Sequence, residues 1–229
     1  MIASPRALRD AATTSRMRGL AELVTIVTEA PWTLSRTHRD RAHEAGLGDE
    51  DILHAVMLSS YFGHLNRIAD AVAVPLDYAV QVEPPHADPS VEPWPTAPSP
   101  VVGRLAIDFE RRPTTANALA AWRSHAFERN APLTRRQRHV IARWVALWLG
   151  DGGISRPDDL TANPLDDELR LLAEQVTLAP WKLDDRSFVK LRASGFDDAA
   201  LFDACVVAST AGVLSRITVA LTALGRERS

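Results

Sequence analysis

Residues 27–74 and 176–223 align at a constant offset of 149 with no gap, and fifteen of the 48 paired positions are identical. Ala30-Pro31-Trp32 matches Ala179-Pro180-Trp181, and Gly46 matches Gly195. Gly63, Leu65, Arg67 and Ile68 match Gly212, Leu214, Arg216 and Ile217. Composition of this kind gives roughly three or four matches by chance. The retained residues are those that bend the backbone or fill a core, so the repeat constrains the fold. Most polar side chains differ between the segments, so it says much less about chemistry.

The periodicity is helical throughout. Ile52, Ala55, Val56, Leu58, Tyr61, Phe62, Leu65, Ile68 and Val72 recur at helical spacing and predict a helix over 49–73. Asp49, after Gly48, is the expected N-cap. The partner segment, 198–223, is apolar on nearly all sides and is expected to be central. Shorter helices are expected at 34–45 and 183–194, ended by Gly46 and Gly195 in the left-handed conformation. Pro31 and Pro180 fall in the preceding loops, where a missing amide hydrogen costs nothing.

Between the two segments, residues 75–100 hold eight of the fifteen prolines and predict an extended strap, docked through Trp94. Further helices are expected at 101–110, 114–129, 134–149 and 164–178, with Thr134 as an N-cap and Gly150-Asp151-Gly152-Gly153 as a stop. No segment alternates with period two, so the chain is expected to be all-α. The organisation expected is a helical lobe over 1–80, a strap over 81–100 and a second helical domain over 101–229.

A net charge of −3 with scattered arginines argues against nucleic acid as a partner. A single cysteine, Cys205, rules out an internal disulfide and a cysteine-based zinc site, and suits a reducing cytoplasm. No apolar run is expected to span a bilayer, and Met1-Ile2-Ala3-Ser4-Pro5-Arg6 lacks the apolar core of a signal peptide. The expected location is cytoplasmic, with no membrane partner.

Three stretches share an order of parts with one family. Leu133-Thr134-Arg135-Arg136-Gln137-Arg138-His139 opens a helix that ends at Gly150, and Leu191-Arg192-Ala193-Ser194-Gly195-Phe196-Asp197-Asp198 leads into the long apolar helix. The first half contributes Phe62-Gly63-His64-Leu65-Asn66-Arg67-Ile68-Ala69-Asp70. This resembles the carboxymuconolactone decarboxylase/alkylhydroperoxidase D-like superfamily, in particular its peroxidase-related branch. The resemblance covers residues 101–224 as a complete domain and 16–75 as a partial copy. It implies an all-helical fold and a homo-oligomer.

The family's thiol relay does not carry over. The resemblance places its glutamate at His139, its two cysteines at Asp151 and Ile154, and its histidine at Asp158. All four are changed. A peroxidatic sulfur needs a neighbouring thiol to resolve it, and Cys205 has none in sequence.

Two groups of polar residues remain as candidate sites. On the helix over 49–73, His64, Asn66 and Tyr61 are candidate catalytic residues, with His54 and Arg67 as candidate substrate-binding residues. His64 and Arg67 lie three apart, and Asn66 and Asp70 four apart, so each pair shares a face. The bland alternative has Arg67 and Asp70 bridging helices and the histidines satisfied by hydrogen bonds. Arg67 is repeated as Arg216, which favours that alternative for it, whereas His54, His64 and Asn66 correspond to Asp203, Val213 and Ser215. The second group sets His139 as a candidate acid–base beside the carboxylates of Asp151, a candidate substrate-binding residue, and Asp158, against an ordinary helix histidine and aspartates in a solvated loop. His38 and His43 are five apart and do not share a helix face, so no metal is expected. With no glycine-rich phosphate loop, no cofactor is expected either.

Three functions stay open, and so does whether the chain is an enzyme at all. One is cofactor-independent acid–base catalysis, of lyase, decarboxylase or isomerase type, on a small organic metabolite. The second is a non-catalytic subunit that partners a cysteine-bearing alkylhydroperoxidase D-like homologue. The third is a one-cysteine peroxidase using Cys205. The enzyme requires a pocket enclosing at least two of His54, His64, Asn66 and His139. The subunit requires a large exposed apolar patch.

Overall fold

The computed structural model describes residues 12–73, 113–151 and 164–225. Eight α-helices and three 3-10 turns run through them, and no strand occurs among the described residues. Helix α1 spans Ser15–Glu29, α2 Arg36–Glu44, α3 Asp49–Ala71, α4 Pro113–Phe127, α5 Arg135–Trp148, α6 Pro164–Leu178, α7 Val189–Ala193 and α8 Asp198–Ala223. The 3-10 turns are Pro31–Thr33, Pro180–Lys182 and Asp185–Phe188. The all-α expectation holds. The strap over 75–100 and the helix at 101–110 lie outside the described residues.

The local signals act as elementary chemistry requires. Thr134 caps α5 through its hydroxyl, which accepts from the Gln137 amide at 3.3 Å. Gly46 and Gly195 take φ of +89° and +91°, which non-glycine residues rarely adopt. Each lets the next amide reach back into the helix: Leu47 N donates to Ala42 O at 2.9 Å, and Phe196 N to Leu191 O at 3.1 Å.

Two local expectations need correcting. Gly48, not Asp49, is the N-cap of α3, and its amide donates to the Asp51 carboxylate at 2.8 Å. Asp49 instead accepts from Arg39 and His43, each at 3.0 Å, tying α2 to α3. The single helix expected at 183–194 is divided. The Asp184 carboxylate accepts from the amides of Arg186 and Ser187 at 3.0 and 3.3 Å, winding a 3-10 turn and leaving α7 only five residues.

Helix α8 is the common spine. Its N-terminal part, from Ala200 to Ala211, packs into a cluster with Phe127, Val145, Trp148, Leu172 and Val176 from α4, α5 and α6. Its C-terminal part, including Val213, Ile217, Leu221 and Ala220, packs with Leu23, Val27, Ile52 and Val56 from α1 and α3. The expectation that no segment could span a bilayer fails by length and composition. The 26 residues of α8 hold an 18-residue window of mean hydropathy 1.7, although 83% of that window is buried inside the protein. Burial on all sides explains the apolar pattern without a membrane.

Helices α3 and α8 cross at the centre, and two arginines 149 residues apart lock the crossing. Arg67 on α3 donates from Nη1 to Gly63 O at 2.8 Å and from Nε to Thr177 O at 3.2 Å. Arg216 on α8 donates from Nη1 to Gly212 O at 3.2 Å and from Nε to Thr28 O at 3.4 Å. Thr28 and Thr177 lie in the last turns of α1 and α6, where carbonyls lack helical partners. Each arginine therefore closes the helix end of the other half. Arg67 feels the charge of Asp70, but its hydrogen bonds go to carbonyls rather than to that carboxylate.

The guanidinium groups are costly where they sit. Burial pushes Arg67 down to about 10, partly offset by Asp70. Arg216 falls well below its ordinary value, first through burial and then through the nearby charge of Arg67. Gly63 and Gly212 make room for them, since a Cβ at either would lie 2.8 or 2.9 Å from the arginine Nη1. Alanine in a helix is favoured over glycine by about 1 kcal/mol. Gly212→Ala should nevertheless lower the unfolding free energy, because Arg216 is fully enclosed and has nowhere to move. Gly63→Ala should cost less, because the Arg67 side chain keeps some exposed surface along its length although its guanidinium is enclosed. Urea unfolding of the two variants measures the difference, and equal effects would contradict this account.

Candidate functional site

The candidate residues on α3 separate into a sealed cluster and an open groove. His64 is buried against α8. Its Nδ1 lies 2.8 Å from Ser209 Oγ, and Ser209 Oγ donates to the His64 carbonyl at 3.1 Å. The imidazole also meets the Trp122 ring edge-on at 5.1 Å between centroids, and the Tyr61 ring at 6.4 Å. Burial lowers the His64 pKa, the Ser209 backbone opposes this in part, and the charge of Arg67 adds to the lowering. The result is a neutral imidazole holding α3 to α8 and α4. Tyr61 packs beside it against Phe62 and Trp122, with half its surface open.

The alignment of the two segments places a neighbouring serine beside this contact. Adding 149 carries His64 to Val213 and Ser60 to Ser209. In one half, histidine meets serine. In the other, the histidine position holds Val213, and the buried Ser60 hydroxyl has no hydrogen-bond partner. The serine is common to both segments, whereas its partner is found in one.

The second group does not join the first. His139 lies on the outer side of α5, with Nε2 3.5 Å from Glu128, and its ring meets Phe127. Burial lowers its pKa, opposed by Glu128. The carboxylate beside His139 is thus Glu128 rather than Asp151. Asp151 follows α5, its amide donating to Ala146 O at 2.9 Å. Ile154 and Asp158 lie outside the described residues. Cys205 is buried on α8, and burial raises its thiol to about 12. A thiol so protonated and enclosed is a poor nucleophile.

The open feature is a groove of about 480 Å³ between α1 and α3. Arg16, Leu20, Val24 and Thr28 line one wall from successive turns of α1. Asp51, His54, Ala55, Leu58, Ser59, Phe62, Gly63 and Asn66 line the other from α3. His54 and Asn66 are therefore brought together in one cavity, while His64, His139 and Asp151 are not among its walls. At one end Arg16 pairs with Asp51 at 2.7 Å. Elsewhere the lining is mainly apolar.

Sequence reasoning missed Ser209, Trp122, Arg16, Asp51 and Ser59. Ser209 alone left a trace, as one of the fifteen identical positions. It also missed the buried network around Arg138, which donates to Ala126 O at 2.9 Å, Ala131 O at 3.0 Å and both oxygens of Asp203. Asp203 accepts in addition from Arg129 at 3.1 Å. This network fastens α5 to α8. Among the described residues no three histidine, cysteine, aspartate or glutamate side chains cluster as a metal site.

A histidine with a lowered folded pKa adds stability above its unfolded value, about 6.5, and that contribution is lost as pH falls toward the folded value. The protein should therefore lose unfolding free energy between pH 7 and pH 5. His64→Val, which copies Val213, should flatten that slope at a cost near neutral pH of about 1 kcal/mol for the lost hydrogen bond. Thermal unfolding across this pH range measures both, and an unchanged slope would mean His64 is not the titrating group. No known protein family, characterised protein or solved structure matches the chain.

Proposed function

We propose that the chain is an alkylhydroperoxidase D-like helical protein, built by internal duplication, that has lost the thiol relay and acts as a non-catalytic subunit. Its working surface in this reading is the α1–α3 groove. One observation carries it: Leu20, Leu58 and Phe62 stand exposed around a mainly apolar groove, with Tyr61 and Leu65 exposed beside them on α3. Monomeric surfaces rarely leave such a contiguous apolar patch uncovered. The matched bonds of Arg67 and Arg216 to Thr177 and Thr28 support the duplication. A cytoplasmic location is part of the proposal, resting on the single buried thiol.

A second reading keeps the acid–base enzyme and moves its centre. His54 and Asn66 share the groove, so His54 would transfer the proton and Asn66 would orient a small organic metabolite. His64 serves as a structural residue in both readings. A one-cysteine peroxidase draws no support from Cys205, whose thiol is enclosed and held protonated.

Leu58→Glu separates the readings, because Leu58 is 56% exposed and its replacement leaves the core intact. In extracts of the cells that make the protein, the wild-type chain should run by size-exclusion chromatography in a complex larger than one chain. The variant should run smaller. A chain that runs as a monomer in both cases would remove the subunit reading. Turnover of a metabolite that is lost in His54→Asn and kept in Phe202→Glu, an exposed position outside the groove, would establish the enzyme instead.

A further inference from the structure

Helix α4 meets the rest of the fold along a narrow stripe. Thr115, Leu119, Trp122 and Ala126 recur at helical spacing with their side chains covered or partly covered, while the residues between them are mostly exposed. Its C-terminal end is anchored: Ala126 and Phe127 are buried in the second half's core, and Ala126 O accepts from Arg138 at 2.9 Å. Leu119 is only partly buried against that core, and Trp122 is the α4 side chain that packs on the first half's cluster.

Trp122 covers a titratable group. Its ring lies 5.1 Å from the His64 imidazole and 6.3 Å from the Tyr61 ring, and His64 is left 8% exposed. The polar contact of the imidazole is Ser209 of α8, which carries no charge. The charges around it oppose a proton. Arg67 acts on it from one turn along α3, and Arg216 of α8 lies near Arg67. Asp70 is exposed and acts on Arg67, whereas Asp203 of α8 is taken up by Arg138 and Arg129. On α4 the neighbouring Arg123 and His125 are exposed. A proton on the covered imidazole would thus make a third buried cation beside two guanidinium groups, with no carboxylate bound to it among the described residues.

We propose that His64 is an acid-sensitive latch for helix α4: a proton on its imidazole releases Trp122, and the N-terminal part of the helix swings off the α3–α8 seam about its anchored end. Water then reaches the imidazolium, at the cost of one aromatic contact and a thin stripe of packing. The crossing of α3 and α8 survives, because the bonds from Arg67 and Arg216 to Thr177 and Thr28 involve no residue of α4. The sign follows from which form holds the proton better. A solvated imidazole titrates near 6.5 and the covered one lower, so falling pH favours the released form. Between pH 7.5 and 5.5 the released form gains up to about tenfold on a covered form that stays neutral. The uncovered surface adjoins exposed Phe62, whose ring lies 6.1 Å from that of Tyr61, so acid widens the apolar face of α3. The latch works whether that face serves a partner protein or a substrate.

Hydrogen exchange of the full-length chain, followed by mass spectrometry at pH 7.5 and 5.5 and corrected for intrinsic rates, tests it. At pH 7.5 the amides of 116–125 should be less protected than those of α8, because α4 opens without the rest. Their protection should fall by up to about tenfold at pH 5.5. His64→Gln, which stays uncharged and can still bond Ser209, should abolish that fall, and so should His64→Val, which copies Val213. His125→Gln and His139→Gln should keep it, the latter because His139 meets only the anchored end through Phe127. Protection of α4 equal to that of α8 would mean the helix leaves only with the whole fold, and would overturn the latch. A pH-independent α4, or a fall that persists without His64 or disappears without His125 or His139, would overturn it too.

Discussion

The crossing of α3 over α8 is the contact on which the rest of the molecule depends. Both helices carry an arginine four residues after a glycine, and both arginines turn back to that glycine's carbonyl while reaching a helix end in the opposite half. The first half thus completes α6, and the second half completes α1. Two buried guanidinium groups near one another oppose folding on electrostatic grounds. They are tolerated because they satisfy terminal carbonyls that burial would otherwise leave without donors. This explains why Gly63, Arg67, Gly212 and Arg216 occupy matched positions while polar neighbours such as His64 and Val213 differ.

Around that centre the halves diverge in what covers them. The second half lays α5 across α6 and α8 and anchors it with Arg138 on Asp203, leaving that face dry. The first half leaves the same face of α1 and α3 open, with His54 where Asp203 would be. The chemistry of the open face follows from its shape. Its walls are helix sides whose lining residues recur at i, i+4 spacing, Leu20 and Val24 on α1 and Leu58 and Phe62 on α3. Of its polar groups, Arg16 pairs with Asp51 at one end, where the charge of His54 also reaches Asp51, and Asn66 lines the wall further along α3.

Much of the local structure was legible in sequence because its causes are local. The lengths of α3, α5 and α8, the Thr134 cap and the positive φ of Gly46 and Gly195 all follow from neighbours a few residues apart. The Asp49 cap and the single helix at 183–194 were misjudged because carboxylates have several amides and cations within reach. Asp51 and Asp184 took the backbone partners, and Asp49 took Arg39 and His43. The candidate site was less legible. His54, His64 and Asn66 share one helix, yet rotation about its axis sends His64 into the α8 interface and leaves His54 and Asn66 in the groove. Periodicity locates an apolar stripe but does not say which element will cover it.

The sequence by itself determined an all-helical chain with two matched segments, the ends of most of its helices, and the absence of a cysteine pair. Those properties depend on residue type and short spacing, which the chain carries openly. Only the tertiary structure decided that α8 serves both halves, that Arg67 and Arg216 close each other's helix ends, and that His64 is sealed by Ser209 and Trp122. It also decided that, among the described residues, α5 covers one face while its counterpart on α1 and α3 carries exposed Leu58 and Phe62. These outcomes join residues more than a hundred positions apart, and a side chain's role there is set by what packs over it.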